Sequence, residues 1–182
     1  GFGALADGMK DNLDMNPQSS GTSRRHLILA AGVAAAVAGV GMALQPKGVK
    51  VGLADPEGAA LHSFYTNGTF DAPGTSITEG IGQGRITANL EGAPIDTQFR
   101  IADEQGLEWV GRLLKEEGLA LGLSSGINVA GAVELGRQLV AEGREDPRVV
   151  TILCDTGFRY LSTLYNREWL SAKGLPVFPW LA

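Results

Sequence analysis

The sequence predicts an α/β fold with a mostly parallel sheet and helices on both of its faces. Three observations predict it. Short apolar runs alternate with segments of helical periodicity. The apolar runs are continuous, as in strands covered on both sides. Polar, glycine-rich turns follow them. In such sheets a ligand lies beyond the carboxyl ends of the strands, so we expect a site in the turns after Ala31, Ala54 and Leu153.

The first predicted unit is strand, helix, strand. Residues 1–23 are weakly patterned and are interpreted as a lead-in to a single unit, residues 24–182. A buried strand is predicted at 26–31, an alanine-rich helix at 33–44 and a second strand at 49–54. Residues 66–89 are rich in glycine and lack periodicity, which predicts a loop region.

The second half continues the alternation. A short strand is predicted at 99–101, followed by a helix that Asp103 caps and that ends at Gly118. Ser124 and Ser125 open a further helix that ends before Gly143. The last strand is predicted at 149–153, and a helical pattern resumes over 160–170.

Composition excludes several classes of protein. The net charge is −5 and there is no basic stripe, which disfavours a nucleic-acid partner. The one cysteine, Cys154, and the two separated histidines, His26 and His62, provide neither a disulfide framework nor a metal site. We expect no membrane partner and no metal.

Arg24 and Arg25 allow two interpretations. With the small apolar residues that follow, they resemble a twin-arginine export signal. The same residues also fit the predicted strand, turn and helix. We favour the second interpretation and a cytoplasmic location, with export as the alternative.

Three short motifs are ambiguous on their own. Ser124 lies at a helix N-terminus, which suits an anion or a hydrogen-bond acceptor but also an ordinary N-cap. Asp155 follows a predicted strand and is either a turn or a site residue. The glycines at 80, 82 and 84 do not fit a dinucleotide fingerprint, because no strong strand precedes them.

Five stretches, taken in order, resemble the cysteine synthase (O-acetylserine sulfhydrylase) and cystathionine β-synthase family of fold-type II pyridoxal-phosphate enzymes. The stretches are GVGMAL at 39–44, LADPEG at 53–58, EGIGQGR at 79–85, EG at 117–118 with SSGIN at 124–128, and TILCDTG at 151–157 with RYLS at 159–162.

The resemblance implies a three-layer fold like that of the tryptophan synthase β subunit, here incomplete, and pyridoxal 5′-phosphate as cofactor. It implies that Ser124 bonds the pyridine nitrogen and that Asp155 lies near the pyridine edge. Gly80, Ile81 and Gly82 would line the substrate cleft. It also implies a small amino-acid substrate and a homodimer.

The chain departs from the family's pattern at the phosphate-binding loop and at the Schiff-base lysine. The family's phosphate cradle, Gly-Thr-Gly-Gly-Thr, aligns here with Gly32, Val33, Ala34, Ala35 and Ala36, which lack both hydroxyls, so we expect weakened cofactor binding.

No lysine of the chain lies in the motif that carries the family's Schiff-base lysine. The chain therefore resembles the C-terminal, cofactor-binding part of such an enzyme, separated from its N-terminal half and inactive alone. The alternatives are a cystathionine β-synthase-like enzyme, a degenerate remnant without catalysis, and an exported protein.

Overall fold

The computed structural model describes residues 25–30, 42–88 and 90–181. Its four strands form one sheet in the order β3-β2-β1-β4, and every neighbouring pair is parallel. The strands are β1 (Arg25–Ala30), β2 (Lys50–Pro56), β3 (Thr97–Ile101) and β4 (Arg148–Val150). The predicted parallel sheet is confirmed.

β1 lies inside the sheet, between β2 and β4. His26 is in register with Lys50 on one side and with Val149 on the other. This pairing agrees with the interpretation of the segment after Arg24 as a strand. Of the helix predicted at 33–44, the structure describes only the last turn, at 42–44, which is helical.

β2 is buried from Val51 to Pro56. Because successive side chains of a strand point to opposite faces, both faces of the sheet are covered at this strand. The main covering helix is α3, which contacts all four strands. Besides the helical residues 42–44, the described part of the chain forms the α-helices α1 (Leu61–Asn67), α2 (Asp103–Glu117), α3 (Leu123–Ala141) and α4 (Arg167–Ala172).

α2 and α3 pack closely where two glycines meet. A Cβ on Gly126 would collide with the carbonyl oxygen of Gly106, and a Cβ on Gly106 would lie 3.0 Å from Ile127 Cδ1. The small residues let the two helices approach each other and bring the start of α3 against the rest of the core. Ile127 and Val110, both fully buried, belong to this core.

The last strand is shorter than predicted, ending at Val150 instead of Leu153. Side chains of α3 form hydrogen bonds with the backbone of the residues that follow Val150. Asn128 Nδ2 donates to the Ile152 carbonyl at 2.9 Å, and Cys154 N–H donates to Ser125 Oγ at 2.9 Å. These bonds anchor the chain outside the strand ladder.

The helix predicted over 160–170 is also wrong in extent. A 3-10 turn covers Gly157–Tyr160, turns follow, and α4 begins only at Arg167. Asn166 sets this start, because its side chain accepts a hydrogen bond from Trp169 N–H at 2.8 Å.

Two further details differ from the sequence analysis. α1 was not predicted; it ends at Gly68, whose φ is +79°. Asp103 does not cap α2. Ala102 is the N-cap residue, and its N–H donates to the Gln105 side chain at 2.9 Å. The predicted loop at 66–89 contains no helix or strand beyond the end of α1 among its described residues.

Within the described ranges, no helix is long and apolar enough to cross a membrane. The lead-in at 1–23 and the phosphate-loop positions 32–36 lie outside the described residues.

Candidate functional site

The start of α3 places Ser124 at the floor of a small cleft. Gly122 is the N-cap residue, and Ser124 is the second residue of the helix, 9% exposed. Its Oγ donates to Asp155 Oδ1 at 3.3 Å. Free backbone N–H groups and the positive end of the helix dipole surround this position. Ser124 is therefore not the cap of its own helix.

Asp155 is held by two protein partners. Tyr160 Oη donates to Asp155 Oδ2 at 2.7 Å, while Ser124 occupies the other carboxylate oxygen. The hydrogen bond to Asp155, and then burial, raise the pKa of Tyr160 to about 12. The phenol therefore stays protonated and acts as a donor at neutral pH.

Gly122 is required by this pair. A Cβ at this position would overlap Asp155 Oδ1 and lie 2.7 Å from the Tyr160 ring. Gly122 N–H also donates to the Asp155 carbonyl at 3.1 Å. The glycine before α3 thus allows the carboxylate and the phenol to sit against the helix N-terminus.

The cleft itself has a volume of about 20 Å³. That is room for a water molecule. One side of the cleft is the loop segment 77–79, which we call the cleft wall. The start of α3, the turn after Tyr160 and α4 form the other sides. Their lining residues are Leu123, Ser124, Tyr160, Thr163, Leu164 and Trp169.

The predicted substrate-cleft residues lie just beyond the cleft wall. Gly80 and Gly82 have φ of +77° and +81°, the left-handed region that favours glycine. Ile81 packs against the main core. The cleft is lined by the three residues that precede Gly80, and not by residues 80–82 themselves.

No lysine in the described part of the chain lines the cleft. Lys50 forms an ion pair with Asp96 at 3.0 Å, and Lys173 Nζ lies 5.7 Å from the Trp169 ring centroid. Lys10 lies outside the described residues. The described residues also contain no cluster of three or more acidic, histidine or cysteine side chains that could hold a metal.

Sequence reasoning missed two members of the site. Tyr160 was interpreted as the start of a helix and as part of the RYLS stretch, without a role in the site, although it lies five residues after Asp155, within reach across a short turn. Asp103 was interpreted as a cap, but its carboxylate accepts hydrogen bonds from Ile77 N–H of the cleft wall and from Ser76, the residue before it. No periodicity in the sequence signals this second contact, which spans 26 residues.

The fold and the cleft define a class of protein. Residues 14–155 match the family model "Pyridoxal-phosphate dependent enzyme", and the chain belongs to this family. The match begins inside the segment 1–23 that was predicted to be a lead-in.

Among known relatives, the chain is similar to cysteine synthase 1 of Neurospora crassa, with 47% identity over 131 residues, 70% of this chain and 34% of that protein. It is 36% identical to a cysteine synthase of Dictyostelium discoideum over 162 residues, 82% of this chain and 42% of that one.

A solved structure, the O-acetylserine dependent cystathionine β-synthase of Helicobacter pylori, matches with a TM-score of 0.65 and 29% identity. The match covers 87% of this chain and 47% of that one. The chain thus spans between a third and a half of the length of these relatives.

Ser124 and its surroundings fit the pyridine edge of pyridoxal phosphate. A neutral hydroxyl, 9% exposed, lies at a helix N-terminus and lines a cleft, and the nearby carboxylate is already engaged by protein donors. The residues aligned with the phosphate cradle lie outside the described ranges.

Proposed function

We propose that this chain is the C-terminal, cofactor-binding part of a cysteine-synthase-type enzyme that replaces the acetoxy group of O-acetylserine by sulfide. The C–O bond to acetate breaks, acetate leaves, and a C–S bond forms. Pyridoxal phosphate, when bound, supplies the electron sink that this chemistry needs. The observation that carries the proposal is the position of Ser124, at the start of α3 and on the cleft.

The chain's own part is to bind and orient the pyridine edge. Both carboxylate oxygens of Asp155 accept hydrogen bonds, from Tyr160 and from Ser124. The Ser124 hydroxyl has one proton, so donating it to a ring nitrogen means giving up the 3.3 Å bond to Asp155 Oδ1, while Tyr160 keeps Asp155 in place. A neutral hydroxyl there holds the ring without placing a full charge against its nitrogen.

The phosphate would bind at Gly32, Val33, Ala34, Ala35 and Ala36. Backbone N–H groups at a helix N-terminus bind phosphate without side-chain help. The missing hydroxyls and the added methyl groups support weakened binding. Restoring the family sequence by Val33→Thr, Ala34→Gly, Ala35→Gly and Ala36→Thr should tighten pyridoxal-phosphate binding by about tenfold, measured by equilibrium titration. Unchanged affinity would refute the alignment of this loop.

The Schiff-base lysine is expected to come from the missing N-terminal half, so the chain alone should not catalyse. Two observations support this. None of the described lysines lines the cleft, and the chain matches only part of each relative. The family resemblance is also the basis for proposing a cytoplasmic homodimer.

A cystathionine β-synthase-like reaction, with homocysteine in place of sulfide, is the second candidate. The similarity to the Helicobacter pylori structure favours it. Both candidates use Ser124 in the same way, and they differ in the nucleophile.

A chimera tests the proposal. The N-terminal part of Neurospora crassa cysteine synthase 1 is joined to this chain, and product is measured with O-acetylserine and either sulfide or homocysteine. We expect cysteine from sulfide and a severe loss of turnover in Ser124→Ala. Ser171→Ala, an exposed serine of α4, is the matched control.

Cystathionine formation in preference to cysteine would select the second candidate. A folded chimera that binds pyridoxal phosphate but forms neither product would identify the chain as a degenerate remnant. Equal turnover in Ser124→Ala and Ser171→Ala would remove Ser124 from the site.

A further inference from the structure

We propose that Asp103, at the start of α2, is a positioning residue whose carboxylate holds the cleft wall in place and so controls access to the cleft. It deepens the proposed function, since it concerns the same cleft, but it depends on contacts within this chain alone. Asp103 is 8% exposed, and its bonds connect α2 to a loop 26 residues earlier.

Both carboxylate oxygens of Asp103 bind the loop. Oδ1 accepts a hydrogen bond from Ser76 Oγ at 2.5 Å, and Oδ2 accepts one from Ile77 N–H at 2.8 Å. Hydrogen bonds to an ionised acceptor are short and about twice as strong as neutral ones. A buried carboxylate with two such bonds is a firm anchor for the residues that carry them.

The anchor extends to Thr78 through Ser76. The Ser76 hydroxyl has one proton, which it donates to Asp103. Its short contact with Thr78 Oγ1, 2.8 Å, must then be donated by Thr78, and Thr78 N–H also donates to Ser76 Oγ at 3.1 Å. Ile77 and Thr78, which line the cleft, are thus tied to one carboxylate, directly or through one hydroxyl.

The Asp103 carboxylate does not cap α2, since both of its oxygens bond the loop and the N-cap position has no side-chain hydrogen bond. The N–H of Ala102 is satisfied by the Gln105 side chain. A negative charge in the first turn also interacts favourably with the helix dipole. The side chain of Asp103 is therefore available to the loop, and the helix provides a rigid base for it.

Two backbone hydrogen bonds also hold the loop, one on either side of the cleft wall, and Ile77 and Ile81 pack against the main core. Gly58 N–H donates to the Pro73 carbonyl at 2.9 Å, and Ala60 N–H donates to the Gln83 carbonyl at 3.0 Å. Asp103 acts between them. Because Ile77 and Thr78 line the cleft, the strength of this anchor governs how far the cleft wall can move.

Amide hydrogen exchange and acrylamide quenching of Trp169 test the proposal on the 182-residue chain. Trp109→Phe and Trp180→Phe are introduced first, so that the fluorescence comes from the tryptophan that lines the cleft. In Asp103→Ala we expect exchange of the amides at 76–79 to rise tenfold or more and the quenching constant to at least double. Exchange in the middle of α3 should not change.

Two variants separate positioning from a general loss of structure. Asp103→Asn keeps an oxygen for Ile77 N–H, so its exchange and quenching should lie closer to wild type than those of Asp103→Ala. Asp71→Ala, an exposed aspartate earlier in the same loop that bonds Thr69, should behave as wild type. If Asp103→Ala does not fold, Ser76→Ala carries the test, with faster exchange expected at Thr78.

Wild-type exchange at 76–79 in Asp103→Ala, or in Ser76→Ala at Thr78, would overturn the proposal. So would a loosened wall that leaves the quenching of Trp169 unchanged. Titration of the wild-type chain with pyridoxal phosphate is run alongside. A failure to bind counts against the proposed function only, because exchange and quenching are measured without the cofactor.

Discussion

Two adjacent serines show how environment decides a residue's role. Ser125 is fully buried and accepts a hydrogen bond from Cys154 N–H, so it holds the chain after β4. Ser124 lies one position earlier, lines the cleft and meets Asp155. The residue type is the same, but successive residues of a helix point about 100° apart, so only Ser124 faces the cleft.

Removing the Tyr160 hydroxyl tests the hydrogen bond that holds Asp155, the partner of Ser124, in place. Tyr160→Phe leaves Asp155 with one donor fewer, and a hydrogen bond to a charged group contributes roughly 1.5–3 kcal/mol. We expect a loss of about this size in the free energy of unfolding, measured with urea. Tyr65→Phe, whose hydroxyl bonds the Leu90 carbonyl at 3.3 Å, is the control and should lose less than about 1 kcal/mol. Equal losses would contradict the strong Tyr160–Asp155 bond.

At the scale of elements, the start of α3 brings the site together. It packs against α2 and the sheet, and its first turn meets the segment that follows β4. The backbones of α2 and α3 approach each other closely at Gly106 and Gly126. Gly126, which sequence analysis treated as part of the serine motif, is explained by this packing.

Gly126→Ala tests the helix contact. Alanine is favoured over glycine inside a helix by about 1 kcal/mol, which alone would stabilise the chain. Because the new methyl group would meet the backbone of Gly106, we expect net destabilisation of roughly 1–3 kcal/mol in thermal or urea unfolding. Gly84→Ala, where a Cβ meets nothing within 4 Å, is the control. A stabilised Gly126→Ala would show that the helices are not in close contact.

The junction of β2 and α1 contains a fully buried carboxylate, Asp55, which accepts a hydrogen bond from His62 N–H at 2.9 Å and is in register with Arg100. Burial raises the pKa of Asp55 to about 6, from 3.8. The folded state therefore keeps a proton that the unfolded chain has lost between these pH values, so the stability from this group is full below pH 3.8 and is lost as the pH rises to about 6.

Asp55→Asn cannot lose a proton, so its stability relative to wild type should rise between about pH 4 and pH 6 and then stay level. The expected change is roughly 3 kcal/mol, from 1.36 kcal/mol per unit of pKa shift. Urea unfolding of both proteins at pH 4, 5, 6 and 7 measures this difference in stability. The other titratable groups are present in both proteins, so their contributions cancel in the difference. A difference that does not depend on pH would contradict the buried, proton-retaining Asp55.

The sequence allowed prediction of those elements whose signal is local. β2, β3, α2 and α3 were placed within a few residues, because continuous apolar runs, helical periodicity and the glycine at 118 mark them. The predicted end of β4 was wrong, because side chains distant in sequence, Asn128 and Ser125, decide where the backbone bonds. The Asp103 contact to the cleft wall was missed for the same reason. The helix predicted over 160–170 was wrong in extent, because Asn166 caps a later start.

For the whole molecule, the ordered motifs predicted the family, and the comparison with known proteins confirms it. The chain corresponds to between a third and a half of its relatives, and it brings the serine motif and the aspartate after the last strand together at one cleft. The central claim is that this part alone carries the pyridine site.

Titration of the 182-residue chain with pyridoxal phosphate, followed by quenching of Trp169 fluorescence, tests that claim most directly. Trp109→Phe and Trp180→Phe again isolate the signal. The account predicts saturable quenching that Ser124→Ala weakens by about tenfold, or 1.4 kcal/mol, while Ser171→Ala leaves it unchanged. Quenching that does not saturate, or equal affinity in wild type and Ser124→Ala, would contradict it.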